Sequence, residues 1–291
     1  MPARSPFTRL CQSAAAASGK VYADLHVHST ASDGLFTRVE VMEHARRAGL
    51  SAVAITDHDT LDAHHAGPGN HHVELIPGVE ISTSFHGREL HLLAYFIDIH
   101  DTDLLVALGD VRRQRRERIV AMAERLRSLG LTIPSIEIDA LLDSGATLGR
   151  RHLARLLVES RQVGNVYEAF TRYLGRPEFG DLPKARIDVV AAIELVHGAG
   201  GITSWAHPSS HTNIEMLIEL RSAGLDAVES EYPWSKPSHG RVLRAMAETL
   251  DLAITGGSDC HGPWPAGRMI GSRGVDRSMF HMLRPVSVTT N

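Results

Sequence analysis

At 291 residues the chain is long enough for one α/β barrel or two modest domains with a substantial core. Its 34 acidic and 30 basic side chains leave a formal charge of -4, which excludes a protein whose whole surface binds nucleic acid but allows a local basic patch. No apolar run approaches the ~20 residues of a membrane span, and Cys11 and Cys260 form neither a disulfide framework nor a thiolate metal motif, so a soluble, cytoplasmic protein is expected.

Residues 1–20 carry Arg4, Arg9 and an alanine run too short and too serine-rich for a secretory signal, and read as a disordered leader. Residues 21–28 read as a strand on which His26 and His28, two apart, share one face while Leu25 and Val27 share the other. Taken alone, that pair is equally compatible with two surface histidines, and Asp33 beside Gly34 with a turn. Thr37-Arg38-Val39-Glu40 is a capping box. The helix it opens places Val39, Met42, Ala45 and Ala48 on a core face and ends at Gly49. A continuous apolar strand over 51–55 runs into Thr56-Asp57-His58-Asp59. A third strand over 75–79 ends at Glu80, a fourth over 89–96 carries His91, and His71, His72 and His86 fall in linking loops.

Residues 101–186 read as a helical insertion, a substrate cap on a barrel made of 21–100 and 187–291. One long helix runs through Leu104, Leu108, Ile119, Met122 and Leu126 to Gly130, with shorter helices over 135–142, 151–160 and 166–174. Its arginines, Arg112, Arg113, Arg115, Arg116 and Arg118, read first as a solvated face and second as a track for the 5′ end of an RNA. The strand–helix rhythm then resumes. A helix over 188–199 precedes a strand over 202–206 ending at His207-Pro208, and a helix over 213–222 precedes a strand over 226–228. Glu229 at that strand end is expected to meet only solvent or an arginine. A helix over 238–250 leads to a last strand over 252–255 and Gly256-Gly257-Ser258-Asp259-Cys260-His261. Seven strands result, and nearly all end in a side chain able to bind metal, at the rim where parallel α/β barrels build active sites.

Mixed imidazole and carboxylate ligands suit manganese, zinc or iron. Cations held close by a bridging carboxylate lower the pKa of a shared water and clamp the oxygens of an in-line phosphoryl displacement, so hydrolysis of a phosphate ester is the natural reaction.

The set Asp24-Leu25-His26-Val27-His28-Ser29, Thr56-Asp57-His58-Asp59, Pro77-Gly78-Val79-Glu80, Ala206-His207-Pro208 and Gly257-Ser258-Asp259-Cys260-His261 resembles the PHP superfamily of metal-dependent phosphoesterases. The insertion, with Arg151-His152-Leu153-Ala154-Arg155 and Tyr173-Leu174-Gly175-Arg176, is similar to the branch containing TrpH-like proteins, RNase AM and a nucleoside 3′,5′-bisphosphate phosphatase. The resemblance implies a distorted seven-stranded (β/α)7 barrel. It also implies two or three divalent metals, manganese first and zinc or iron as alternatives. His26, His28, Glu80 and Asp259 would surround one metal, with Glu80 bridging to a second held by His91 and His207. Asp33, His58 and His261 would hold a third, with Asp33 standing where other branches use histidine.

Asp57 and Asp59 would then steady ligands or shuttle a proton, with plain turn roles as the alternative. Arg151 and His152 at the start of an insertion helix, with Lys184 and Arg186 at the exit, are placed to grip a second phosphate, which fits a nucleoside 3′,5′-bisphosphate. The expected activity is removal of its 3′-phosphate, together with 5′-3′ trimming of short RNA, with no stable protein partner implied. Three rivals fare worse. Amidohydrolases often use a bridging lysine, and neither Lys184 nor Lys236 sits at a strand end; the insertion argues against a histidinol-phosphate-type phosphatase. A noncatalytic metal-binding module should have lost ligands, whereas every expected position holds a competent side chain.

Overall fold

The computed structural model describes residues 21–65, 72–184, 186–263 and 266–284. The expected leader, with Cys11, and His71 lie outside the described residues.

The barrel opens with β1 (Ala23–Val27), α1 (Arg38–Arg47), β2 (Ala52–Ile55) and β3 (Glu74–Phe85), which turns directly into β4 (Arg88–Tyr95). The insertion follows as α2 (Thr102–Ser128), α3 (Ser135–Asp143), α4 (Arg150–Glu159), α5 (Val166–Ala169, continued as a π turn over Phe170–Leu174) and α6 (Pro177–Gly180). The barrel is completed by β5 (Ile187–Asp188), α7 (Val189–Gly198), β6 (Ile202–Trp205), α8 (Ile214–Ser222), β7 (Ala227–Glu231), α9 (Pro237–Leu250), β8 (Ala253–Gly256) and α10 (Arg277–Leu283).

Seven strands follow one path, β1-β2-β3-β4-β6-β7-β8, with the two-residue β5 paired to the far end of β3. A parallel bridge between Val27 and Cys260 brings the last strand's exit back to the first, so the sheet is a nearly closed barrel. Two expectations need correction. First, β3 does not end at Glu80 but continues to Phe85, so Glu80 lies in mid-strand. Second, β4 is antiparallel to both β3 and β6, and the barrel is therefore mixed. The cause is local: His86 and Gly87, with φ of 48° and 73°, make a two-residue hairpin. Such a turn can join only antiparallel strands, since a parallel connection needs a dozen or more residues. Because β4 runs backwards, its N-terminal half lies at the rim, and His91 pairs with Ser82 just beyond Glu80.

The capping box is present, with Thr37 and Glu40 closing each other's amides, and Gly49 has a φ of 72°. Val41, Met42 and Ala45 form the buried face of α1, whereas Val39, 76% exposed, and Ala48 point outward. The insertion encloses an apolar cluster of its own, from Ile119, Met122 and Leu126 on α2 to Leu153 and Leu157 on α4 and Phe179 on α6. Among the described residues no helix is long and apolar enough to cross a membrane.

Candidate metal centre

The site begins at Glu80. Its Oε1 lies 2.6 Å from His91 Nδ1 and 3.0 Å from His207 Nε2, and its Oε2 lies 3.1 Å from His28 Nε2, 3.2 Å from His58 Nδ1 and 3.3 Å from His26 Nε2. Five imidazoles from four segments thus converge on one carboxylate. Asp259 Oδ1 lies 3.1 Å from His28 Nε2 and 3.4 Å from both His26 Nε2 and His261 Nδ1. Asp33 Oδ1 lies 3.2 Å from His261 Nε2 and 3.9 Å from His28 and His58. All nine residues expected as ligands therefore share one cluster.

Four sets offer ligand atoms within 4.8 Å of one another: His26, His28 and Asp259; His26, Glu80 and His207; His58, Glu80 and His91; and His28, Asp33, His58 and His261. His26, His28, His58 and Glu80 thus each serve two sets, a closer sharing than the single Glu80 bridge implied by the resemblance. The residues fit metal ions on their chemistry. His28 is fully buried, yet neither ring nitrogen has a hydrogen-bond partner, and His58 Nδ1 and Asp33 Oδ1 are likewise buried without one. Burial of such atoms is costly unless something pairs with them.

Burial alone would raise the carboxyl pKa values, but the charges of His58, His91 and His26 hold Glu80 well below the usual range, and His261 with its neighbours does the same for Asp33 and Asp259. Burial opposes charge on His28, yet the negative charge of the adjacent Asp259 and Glu80 carboxylates carries its pKa up to about 9. His91 is carried up to about 10 against the same opposition by Glu80 and Glu89. Burial wins at His58 and His261, whose pKa values fall.

The backbone is shaped to present these groups. Gly34 folds under the strand end so closely that a Cβ there would lie 2.3 Å from the His28 carbonyl oxygen. His207 and Asp259 both occupy the left-handed region, with φ of 32° and 45°, unusual for such residues and typical of functional sites. Asp57 accepts hydrogen bonds from Ser29 N, Ser29 Oγ and Ser32 Oγ at 2.5–2.7 Å, fixing the loop that carries Asp33. Asp59 accepts from Ser82 N and Oγ and from Arg115 Nε, at 2.7, 2.8 and 2.7 Å.

Glu229 departs from expectation. It is completely buried, accepts the His207 amide at 2.6 Å and lies 3.1 Å from His26 Nδ1, so it meets neither solvent nor an arginine. Nor does it end its strand, since β7 continues to Glu231 and leaves Glu229 in mid-strand.

Beside the cluster lies a cavity of about 350 Å³ walled by Arg115, Arg118, Arg150, Arg151, Lys184 and Arg268. Arg115 and Arg118, three apart on α2, face inward, so the arginine run is not uniformly solvated; Arg113 meets only Asp110 on the surface. Two expected phosphate contacts lie outside the cavity lining. His152 is buried and turned back on its own helix, with Nδ1 accepting the Gly149 amide at 3.1 Å, and Arg186 is directed to the Gly87 carbonyl and Glu89. Neither lines the cavity. Lys184 does, while paired with Glu89 at 2.7 Å, and Arg151 Nε lies 3.7 Å from Asp33 Oδ2. Arg268, missed in the sequence because it follows no periodic pattern, binds Asp259 Oδ2 at 2.5 Å and stacks 4.5 Å above the Trp234 ring.

The model of the PHP domain matches residues 24–173, from the strand bearing His26 into the insertion. The chain belongs to the PHP family. A 5′-3′ exoribonuclease of Haemophilus influenzae is 32% identical over 248 residues, covering 82% of this PHP chain and 90% of that protein. A 3′,5′-nucleoside bisphosphate phosphatase of Chromobacterium violaceum is 30% identical over 258 residues, covering 85% and 90%. In structure, a Bifidobacterium adolescentis protein assigned as a metal-dependent phosphoesterase superposes with a TM-score of 0.80 at 29% identity, over 90% of this chain and 94% of that one. This PHP chain is accordingly a metal-dependent phosphoric ester hydrolase.

Proposed function

We propose that the enzyme removes the 3′-phosphate of nucleoside 3′,5′-bisphosphates and, by breaking the same bond, trims short 5′-phosphorylated RNA from its 5′ end in the cytoplasm. The observation that carries this reading is the cationic cavity joined to the cluster: a phosphate at Glu80 and Asp259 leaves room for a second among Arg115, Arg118, Arg150, Arg151 and Lys184. Guanidinium groups suit such a phosphate because they donate paired, charge-assisted hydrogen bonds. The names of the two relatives, one an exoribonuclease and one a bisphosphate phosphatase, support the same substrate class.

His26, His28, Asp33, His58, Glu80, His91, His207, Asp259 and His261 would hold two or three divalent cations, with manganese proposed first and zinc or iron as alternatives. When bound, such ions lower the pKa of a water and neutralise the phosphoryl oxygens. Asp57 holds the Asp33 loop and Asp59 holds Arg115, so both act as positioning residues. Residues 101–186 act as the substrate cap, since α2 and α4 supply four of the cavity's cations.

Phosphate release from adenosine 3′,5′-bisphosphate, adenosine 3′-phosphate and histidinol phosphate tests the reading. The bisphosphate should be preferred at least tenfold in kcat/KM, with the preference lost in a Lys184→Ala, Arg151→Ala double variant. Equal turnover of the 3′-monophosphate would contradict the second phosphate grip.

A further inference from the structure

A second cavity, of about 620 Å³, lies across the wall formed by His91 and His207, the two imidazoles that meet Glu80 Oε1. Glu89 also borders both cavities. The two spaces differ in chemistry. The first is walled by five arginines and a lysine beside the carboxylate cluster, whereas the second joins Phe85 at the end of β3, Leu90, Trp205 and Met216 to a polar edge of Arg88, Glu89 and histidines. The aromatic and aliphatic part of that space suits a nucleobase, and Arg88 at its edge a backbone phosphate.

The reaction gives that space a purpose. In a 3′,5′-bisphosphate, water forms a bond to phosphorus, the P–O3′ bond breaks, and one proton ends on O3′. A nucleoside 5′-phosphate and inorganic phosphate result. In a 5′-phosphorylated RNA the same bond between the first and second nucleotides breaks. The first nucleotide leaves as a nucleoside 5′-phosphate, and the water oxygen stays on the new 5′-phosphate of the shortened strand. The two substrates are identical on the O3′ side of phosphorus and differ only on the other side, where RNA carries a second nucleotide and the bisphosphate carries nothing.

Resting on the function proposed above, we infer that the cavity beyond His91 and His207 receives the second nucleotide of an RNA, with its base between Phe85, Trp205 and Met216. The cationic cavity holds the first nucleotide for both substrates. The second cavity is what makes a bisphosphate phosphatase an exoribonuclease. Ser209 at its edge is exposed, so a larger side chain there fills the cavity without entering the core.

The test compares wild type, Ser209→Trp and Phe85→Ala in manganese on two substrates, adenosine 3′,5′-bisphosphate and a 5′-phosphorylated trinucleotide. Binding of the same ligands to calcium-loaded protein is followed by competition against a fluorescent oligonucleotide. Loss of one stacked base corresponds to roughly tenfold or more in affinity. Both variants should weaken trinucleotide binding and kcat/KM at least tenfold while bisphosphate turnover stays within twofold. Equal loss on both substrates, or no loss on either, would overturn the inference. Wild-type turnover of the bisphosphate without the trinucleotide would overturn it while leaving the phosphatase reading intact. If neither substrate is turned over, the function proposed above fails, and unchanged trinucleotide binding in Ser209→Trp would then dispose of the cavity assignment separately.

Discussion

Glu229 Oε1 lies 3.1 Å from His26 Nδ1, and this contact turns the opposite nitrogen of the same ring, Nε2, toward Glu80 and Asp259. Partners of this kind fix the tautomer and direction of a ligating imidazole, and their loss typically lowers metal affinity 10–100-fold. Glu229 also accepts the His207 amide, so one carboxylate steadies ligands from two strands. Glu229→Gln should therefore lower metal affinity by about tenfold or more with the fold intact, as read by calorimetric metal titration and circular dichroism. Unchanged affinity would remove Glu229 from the account.

The Arg115–Asp59 pair joins the insertion to the rim, with the guanidinium also reaching Ser82 Oγ at 2.7 Å and the Leu148 carbonyl at 3.1 Å. Asp59 is fully buried, so removing its partner leaves a buried charge, which costs about 3 kcal/mol or more. Arg115→Ala should lose that much in urea unfolding and raise KM for a bisphosphate at least tenfold. Arg115→Lys should rescue neither, since an ammonium cannot make the forked contacts.

Gly34→Ala forces a methyl group against the His28 carbonyl and displaces the loop holding Asp33. The strain should cost about 1–3 kcal/mol, and elemental analysis after dialysis should show less metal bound per chain. Wild-type stability together with wild-type metal content would contradict the placement of this loop.

Proton and metal compete for the same ring nitrogens. The His28 pKa of about 9 stands above its ordinary 6.5. The stability its protonated form lends to metal-free protein is present below pH 6.5 and lost as the pH rises through 9. Thermal melts of chelator-treated protein should fall across that window, and metal should stabilise more at its upper end because binding releases protons. A metal-induced shift in Tm that shrinks as pH rises from 6.5 to 9 would contradict the assignment.

Much of this site is legible in the sequence because several of the proposed ligands follow an apolar strand, and the strand-end rule needs no knowledge of direction. His28, His58, His207 and Asp259 are visible in that way, and His26 through its two-residue spacing from His28. Direction itself is not. The apolar pattern of β4 is the same read either way, and only the two-residue hairpin at His86 and Gly87 encodes its reversal. Arg115 was hidden within a run of five arginines. Its inward face is set by Asp59, Ser82 and the Leu148 carbonyl, which lie far away in sequence and which no spacing in α2 reveals. Arg268 and Trp234 sit where no periodicity constrains them, and the contacts of Arg268 with Asp259 and with Trp234 exist only after the chain has closed.

The most direct test of the central claim is metal-dependent phosphate release from adenosine 3′,5′-bisphosphate by chelator-stripped protein, titrated with manganese, for wild type and Glu80→Gln. Glu80 meets five imidazoles, so wild type should be inactive when stripped and recover with added metal, while Glu80→Gln should remain at least a hundredfold slower at saturating manganese. Turnover by stripped wild type, or full recovery of Glu80→Gln, would contradict a metal centre built around this carboxylate.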